Sequence, residues 1–229
     1  MAIVYKDRSR RPGCVELHNG DHMTQPAFHR VYEQMPDGFK AELIGGTVFV
    51  CEPAGQVHGQ WDVTVASVLN AYRASTPGLQ ICGNATVILG KEDEVQPDVF
   101  LRILPGYGGR SGNKGLYVKG APELVVEVSY TSVSIDLHAK KERYARAGVI
   151  EYIVLCLNPT RLYWFDLHKG CSLKPNSEGI FCSRVFPGLW IDNAALLRDE
   201  YHPLMDALNR GLASAEHADF VAKLAAARG

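Results

Sequence analysis

The stretch APELVVEVSYTSVSIDLHAKKERYARAGVIEYIVLCL, residues 121–157, decides how the chain folds. Its first part, around 123–130, is rich in valine and reads as a strand. Residues 134–147 follow a helical period, and Gly148 stands in the position that closes a helix with a left-handed residue. The run VIEYIVLCL is continuous and apolar, as expected of a central strand covered on both faces. Beyond it, Asn158-Pro159 turns the chain into RLYWFDL, the expected antiparallel partner. A further strand pair is expected around the turn at Pro175–Gly179, and the Ala- and Leu-rich tail from about 193 reads as helical.

Towards the N-terminus, PGYGGRSGNKG at 105–115 reads as a solvated glycine-rich loop between strand-like segments at 95–103 and 123–130. Another strand-like segment spans 79–89. Residues 57–74 carry Trp61, Val65, Val68 and Tyr72 on one stripe at spacings of four, three and four, which predicts a helix. AELIGGTVFVC is two apolar runs around Gly45-Gly46, a hairpin signal because glycine tolerates the positive φ of a tight turn. A short helix is expected over 24–35, with Thr24 as cap and Pro26 in the first turn. Residues 1–22 lack periodicity and read as an N-terminal arm. No internal repeat or long linker divides the rest, so 23–195 is expected to form one α/β or mixed α+β domain, with 196–229 a helical extension packed on it.

The chain has 229 residues, 46% of them hydrophobic, enough for a sizeable core. Lys plus Arg number 24 and Asp plus Glu 25, a formal net charge of −1. That balance excludes a grossly basic nucleic-acid coat and an acidic tail, while leaving room for a local basic groove. No apolar run reaches the ~18 residues of a membrane span, and the N-terminus meets charge too early for a secretory signal. A cytoplasmic protein is expected. The six cysteines form no CxxC pair, which argues against a zinc ribbon or a thioredoxin-type site, and they are expected to be free packing thiols.

Four polar residues interrupt otherwise apolar elements. Glu127 lies among Val125, Val126 and Val128. An unpaired buried carboxylate costs several kcal/mol, so it needs a cation, a metal or a proton unless its face of the strand is half exposed. Asp98 follows Pro97, whose missing N–H suits a strand entry. Lys140 shares a helical stripe with Leu137, Tyr144 and Ala147, where it either snorkels, pairs with Asp136 one turn earlier, or serves a site. Glu42 heads the hairpin, where an exposed strand start is the plain alternative.

Taken in order, ELIGG, HGQW opening a helix, QPDV, APELVVEV, DLHAKKERYARAGVIEY and VFPGLW resemble the Uma-type restriction endonuclease family, assigned to the PD-(D/E)xK nuclease superfamily. The resemblance spans roughly 24–195. It implies a restriction-endonuclease-like central mixed sheet flanked by helices, with added antiparallel strands, and metal-dependent endonuclease activity on DNA. Glu42 matches the family's early glutamate, Asp98 the acid of the first half-motif and Glu127 that of the second. Where the common superfamily pattern has lysine two residues after the second acid, this chain has Ser129. Lys140, with Tyr144 one turn beyond, is the natural replacement. Asp98, Glu127, Glu42 and the backbone carbonyl of Val128 are the implied metal ligands. His58 matches a family histidine and is expected to contact phosphate or an acid of the site, and Gln96 to support it.

The chemistry is coherent apart from the name. Three carboxylates in one cleft repel one another, so they take up protons or hold a divalent cation. Oxygen ligands favour a hard ion, Mg²⁺ or Mn²⁺ in its place.

Other signals carry less. YGGRSGNKG lacks the Gly-Lys-[Ser/Thr] order of a phosphate-binding loop, and Arg110 and Lys114 read as solvated. His18 and His22 have metal-pair spacing without helical context and are set aside. Trp164 and Tyr163 read as core and interface residues. The alternative to an enzyme is a catalytically silent nuclease fold that binds nucleic acid or protein. A homodimer is expected from the apolar strand pair near 160–167 and the helical tail.

Overall fold

The computed structural model describes residues 16–51, 53 and 55–228. The chain forms α1 (Gln25–Tyr32), β1 (Ala41–Ile44), β2 (Thr47–Val50), α2 (Gln56–Ala74), β3 (Leu79–Gly83), β4 (Val87–Ile88), β5 (Glu94–Val95) and β6 (Val99–Ile103). There follow β7 (Gly112–Lys114), β8 (Tyr117–Lys119), β9 (Leu124–Ser129), a π-helical segment (Ile135–Lys140) that runs into α3 (Lys141–Ala147), β10 (Glu151–Leu157) and β11 (Thr160–Asp166). The C-terminal part adds β12 (Cys171–Ser172), β13 (Ile180–Cys182), β14 (Trp190–Asp192), α4 (Asn193–Leu197), α5 (Tyr201–Leu212) and α6 (Ala215–Ala226).

The central sheet has the order β12-β11-β10-β9-β6-β3. Only β9 and β10 run parallel, joined by the helical segment 135–147, and both are buried almost throughout. This is the strand–helix–strand reading of 121–157, and the continuous apolar run is indeed an inner strand. One face of the sheet packs against α2, α4, α5 and α6 through Val65, Leu69, Val126, Ile153, Leu204 and Leu224. The other face packs Phe100, Val125, Val154 and Tyr152 against Tyr144 and Val149. A second sheet, β2-β1-β5-β4-β8-β7, is hydrogen-bonded separately and packs into the same apolar cluster through Ile44, Val87, Val95 and Val118. Its hairpin turns through Gly45 and Gly46 at φ +60° and +77°, the positive values a two-residue turn demands. α1 covers that hairpin through Phe28, Leu43 and Val48.

Three expectations need correction. The glycine-rich stretch is not simply a loop: Gly112–Lys114 pairs with β8, because the buried Arg102 guanidinium donates to Gly112 O (3.1 Å) and Asn113 Oδ1 (2.6 Å). Arg110 likewise donates to Gly148 O at 2.8 Å. The segments either side of 175–179 do not pair with each other, since β12 joins β11 and β13 joins β14. Of the arm expected over 1–22, residues 1–15 lie outside the described residues, as does Cys14, but Leu17 is buried and Gly20 N–H donates to Val48 O. Among the five described cysteines all are free, yet only Cys156 is fully buried, and Cys51 and Cys171 are exposed.

Glu151 enters the apolar run without disturbing it. Its carboxylate accepts from Trp164 Nε1 (3.0 Å), Ser183 Oγ (2.8 Å), and the N–H groups of Arg184 (2.6 Å) and Val185 (3.2 Å). The four donors account for an acid buried in the core and tie the 183–186 turn to β10. The features behind the homodimer expectation are used within the chain: β12 borders β11, and α5 and α6 cover the chain's own core. Among the described residues no helix is long and apolar enough to cross a membrane.

Candidate active site

Register brings the two half-motif acids together. Val99 on β6 pairs with Val126 on β9, so Asp98 and Glu127 are next in line across the same antiparallel ladder. Asp98 Oδ2 accepts the Val128 N–H at 2.7 Å, and Asp98 N–H points at Glu127 Oε2 at 3.4 Å. In an extended strand one residue's N–H and C=O face the same neighbour. The Val128 carbonyl therefore faces the Asp98 side, as an ion ligand there would.

Lys140 arrives from the π-helical segment. Its Nζ lies 2.7 Å from Glu42 Oε2, 3.1 Å from Glu127 Oε1 and 3.8 Å from Asp136 Oδ1. The predicted stripe of Leu137, Lys140, Tyr144 and Ala147 is shifted: Asp136, Lys140 and Tyr144 are the buried positions. The wider turn of a π-helix puts Asp136 rather than Leu137 beneath the lysine. Asp136 Oδ2 is held by Ser129 Oγ (2.7 Å) and Ser132 Oγ (2.5 Å). Ser129, standing where the superfamily pattern has lysine, thus helps anchor the helix that supplies one. Tyr144 donates to Glu127 Oε1 at 2.7 Å.

The electrostatics follow from three carboxylates around one ammonium, with Asp98 beside Glu127. Burial works against the charge on Lys140, but Glu127, Glu42 and Asp136 outweigh it and hold the amine well above the usual lysine range. Burial drives Glu127 well above the usual carboxylate range; Lys140 opposes this, and Asp98, Asp136 and Glu42 add to it. One cation cannot neutralise all these acids, so the cluster favours the charged form of Lys140 and opposes the charged form of Glu127. Since Oε1 already receives two hydrogen bonds, the Oε2 side facing Asp98 is where a proton or a metal ion fits.

Glu42, expected as a metal ligand, is engaged by groups of the chain itself. Its Oε1 accepts the Gln96 N–H at 2.7 Å and its Oε2 meets Lys140 at 2.7 Å. Gln96 contributes that backbone N–H, while its side chain turns away to donate to Tyr32 OH. His58, in the first turn of α2, reaches Asp98 Oδ1 through Nε2 at 3.2 Å. It also lies 3.3 Å from Asp62 Oδ1. The carboxylates of Asp62 and then Asp98 raise the imidazole to about 10, against the opposing effect of burial. His58, Asp62 and Asp98 each offer one donor atom within 4.8 Å of the others.

Sequence reading missed Asp62 and Arg143. The first had a signal, since His58 and Asp62 are four apart on a helix and share a face. The second had none. Arg143 Nε and NH2 donate to Asp93 at 2.6–3.0 Å, and NH2 to Glu92 Oε2 at 2.9 Å. Asp93 Oδ1 in turn accepts the Gly45 N–H at 2.8 Å. Arg143 thus clamps the turn of the hairpin carrying Glu42 to the helix carrying Lys140. Arg143→Ala is expected to cost about 2 kcal/mol by urea denaturation, from the charged hydrogen bonds lost. An unchanged midpoint would show the clamp to be idle. The residues set aside stay outside the site: Trp164 is buried on Glu151, Tyr163 lies under the Arg161 guanidinium, Lys114 is exposed on β7, and His22 meets Thr47.

Comparison with known proteins bears on the fold and the family. A protein from Anabaena variabilis whose structure is described as "a putative nuclease" shares the fold, with a TM-score of 0.52 at 12% sequence identity, covering 80% of this chain and 97% of that one. No curated protein matches. The Uma2 family model, described as "Putative restriction endonuclease", matches residues 26–195. On that match, which spans most of the chain, the protein belongs to the Uma2 family.

Proposed function

We propose that this chain is a divalent-metal-dependent DNA endonuclease that hydrolyses phosphodiester bonds at the cleft formed by Asp98, Glu127, Val128 and Lys140. The observation carrying the reading is a buried lysine delivered from another element onto the acid of the second half-motif. Asp98, Glu127 Oε2 and the Val128 carbonyl form an all-oxygen set facing one space, which favours Mg²⁺, with Mn²⁺ as a substitute. Such an ion supplies Lewis-acid polarisation of a phosphodiester and compensates charge developing on it.

The chain's own groups do the rest. Glu42 and Asp136 fix the Lys140 ammonium. From there it orients Glu127 and provides positive charge beside the position of an attacking water. Tyr144 fixes the same Glu127 oxygen, so Oε2, which meets only the long contact from the Asp98 N–H, is the one to receive a proton or an ion. Duplex cleavage by a domain with one such centre calls for two copies, which is the reason to retain a homodimer. The chain's chemistry is cytoplasmic in character, with five free thiols among the described residues.

A second reading, a nuclease fold that binds nucleic acid without cutting it, is favoured by the net charge of −1, since phosphate binding usually leaves a basic footprint. Incubation with supercoiled plasmid separates the two. The enzyme is expected to nick or linearise DNA with Mg²⁺ or Mn²⁺ and to stop when EDTA is added. DNA retained in a gel shift but left intact with every divalent ion would favour the silent module.

A further inference from the structure

We infer that the open edge of β3, together with the neighbouring stripe of α2, is the surface through which two copies of this chain pair about a two-fold axis. The surface stands independently of the proposed function; only the purpose of the pairing rests on that reading.

β3 ends the central sheet, with β6 on one side and no strand on the other. The bonds at the two ends of the β3–β6 ladder set its phase: Leu104 N–H donates to Gly78 O at 2.8 Å and Asn84 N–H to Asp98 O at 3.1 Å. A strand residue points its N–H and C=O to the same side, and successive residues alternate. Gln80 and Cys82 therefore face β6, while Leu79, Ile81 and Gly83 aim their backbone groups outwards. Sheet edges are ordinarily guarded by lysine, proline, a bulge or a covering element. This strand carries no charge and no proline, and it keeps unbroken register from Leu79↔Ile103 to Gly83↔Val99.

α2 supplies the other half of the surface. One of its stripes, with Val65, Val68, Leu69 and Tyr72, is buried in the core. A second, Val63, Ala66, Ser67 and Asn70, has the spacing of one helix face and lines a groove with Ile81 and Gly83. No residue lining that groove is charged, and Val63 is 66% exposed. A groove without a cation offers nothing to a phosphate backbone, whereas the centre of a protein interface is depleted of charge.

The occupant that fits is the same surface turned about its own axis. The outward positions lie symmetrically about Ile81. With Ile81 opposite the partner's Ile81, Leu79 stands opposite the partner's Gly83, and each outward N–H meets an outward C=O in an isologous antiparallel pair. The axis is then normal to the sheet, so both active-site clefts open on one face of a continuous sheet. Asp98 stands opposite Asn84, beside the seam. At ~4.8 Å per strand and ~3.4 Å per residue, the two Asp98 residues lie roughly 25 Å apart. That is within the ~34 Å of one duplex turn, so one DNA molecule can reach both.

Sedimentation equilibrium and backbone amide exchange of the full chain test this together. The wild type is expected to be a dimer at micromolar concentration, with the Ile81 and Gly83 amides exchanging as slowly as those of Gln80 and Cys82. Val63→Lys sets a cation in each groove and should weaken association at least ~100-fold, on the scale of misplaced charge at an interface. In the resulting monomer the Ile81 and Gly83 amides become fast, while Gln80 and Cys82 stay slow on β6. Ile81→Pro removes an outward N–H without touching the β6 ladder and should dissociate the dimer likewise. Native near-ultraviolet circular dichroism checks the fold of both variants. A monomeric wild type overturns the inference, whether its edge amides are fast or covered by another segment of the chain. A dimer with fast Ile81 and Gly83 amides, or one that survives both substitutions, has its interface elsewhere and also overturns it. On plasmid with Mg²⁺, the monomeric variants are expected to nick DNA without linearising it. A protein that pairs through β3 yet cuts nothing leaves the surface standing while the endonuclease reading fails.

Discussion

Lys140→Met is expected to abolish DNA cleavage and to lower stability by ~3–5 kcal/mol at neutral pH, the cost of leaving buried charge without its partner. The methionine nearly conserves volume, so packing changes little. What changes is that Glu42, Glu127 and Asp136 face one another without a cation. Burial already holds Glu127 above the usual carboxylate range, and removing Lys140 removes the one large influence pulling it down. A carboxyl whose folded pKa lies above its unfolded value, near about 4.3, contributes stability below that unfolded value and loses it as pH rises through the folded one. The deficit of the variant should therefore be small near pH 4–5, roughly the unfolded range, and widen as pH rises. Urea denaturation of both proteins across that range checks the point. A deficit independent of pH would mean that lost packing, not stranded charge, dominates.

The second large effect is expected from Asp98→Asn. Cleavage should fall by ~10²–10³-fold or more, on the scale of removing one electrostatic group from a reacting centre. The fold should persist, because the asparagine carbonyl oxygen still accepts the Val128 N–H that Asp98 Oδ2 accepts. Two neighbours should respond. Asp98 helps raise Glu127 and is the second of two carboxylates raising His58, so both groups should move back towards ordinary values in the variant. Initial rates on plasmid with saturating Mg²⁺, together with histidine NMR titration, report the two effects separately. Full activity in the variant would remove Asp98 from the centre.

Much of this was legible because the fold writes its inner strands in apolar runs. ELVVEVSY and VIEYIVLCL, separated by one helix-length segment, fix two neighbouring strands of the central sheet and a helical crossover between them. Within such a run Glu127 stands out, while Lys140 declared itself by sharing a helical stripe with apolar residues. Glu151 did not, since its burial depends on donors from 164 and 183–185 that no local pattern announces. The π-helical segment was also hidden: its sequence has ordinary helical spacing, and only the anchoring of Asp136 by Ser129 and Ser132 accompanies the shift in phase. The separate second sheet was obscured by strands of two or three residues, too short for alternation to register. Asp62 had a readable spacing from His58, but its meaning requires Asp98, which lies 40 residues from His58 and reaches it only through the fold.

Whether the cleft acids hold an ion in common is most directly decided by calorimetric titration of Mn²⁺ into the wild type, Asp98→Asn and Glu127→Gln. Binding to the wild type is expected, weakened by at least ~10–100-fold in each variant, the range for disturbing even an outer partner of a metal site. Equal affinity in all three folded proteins, or no uptake by the wild type, would contradict the assignment of these carboxylates to a metal centre.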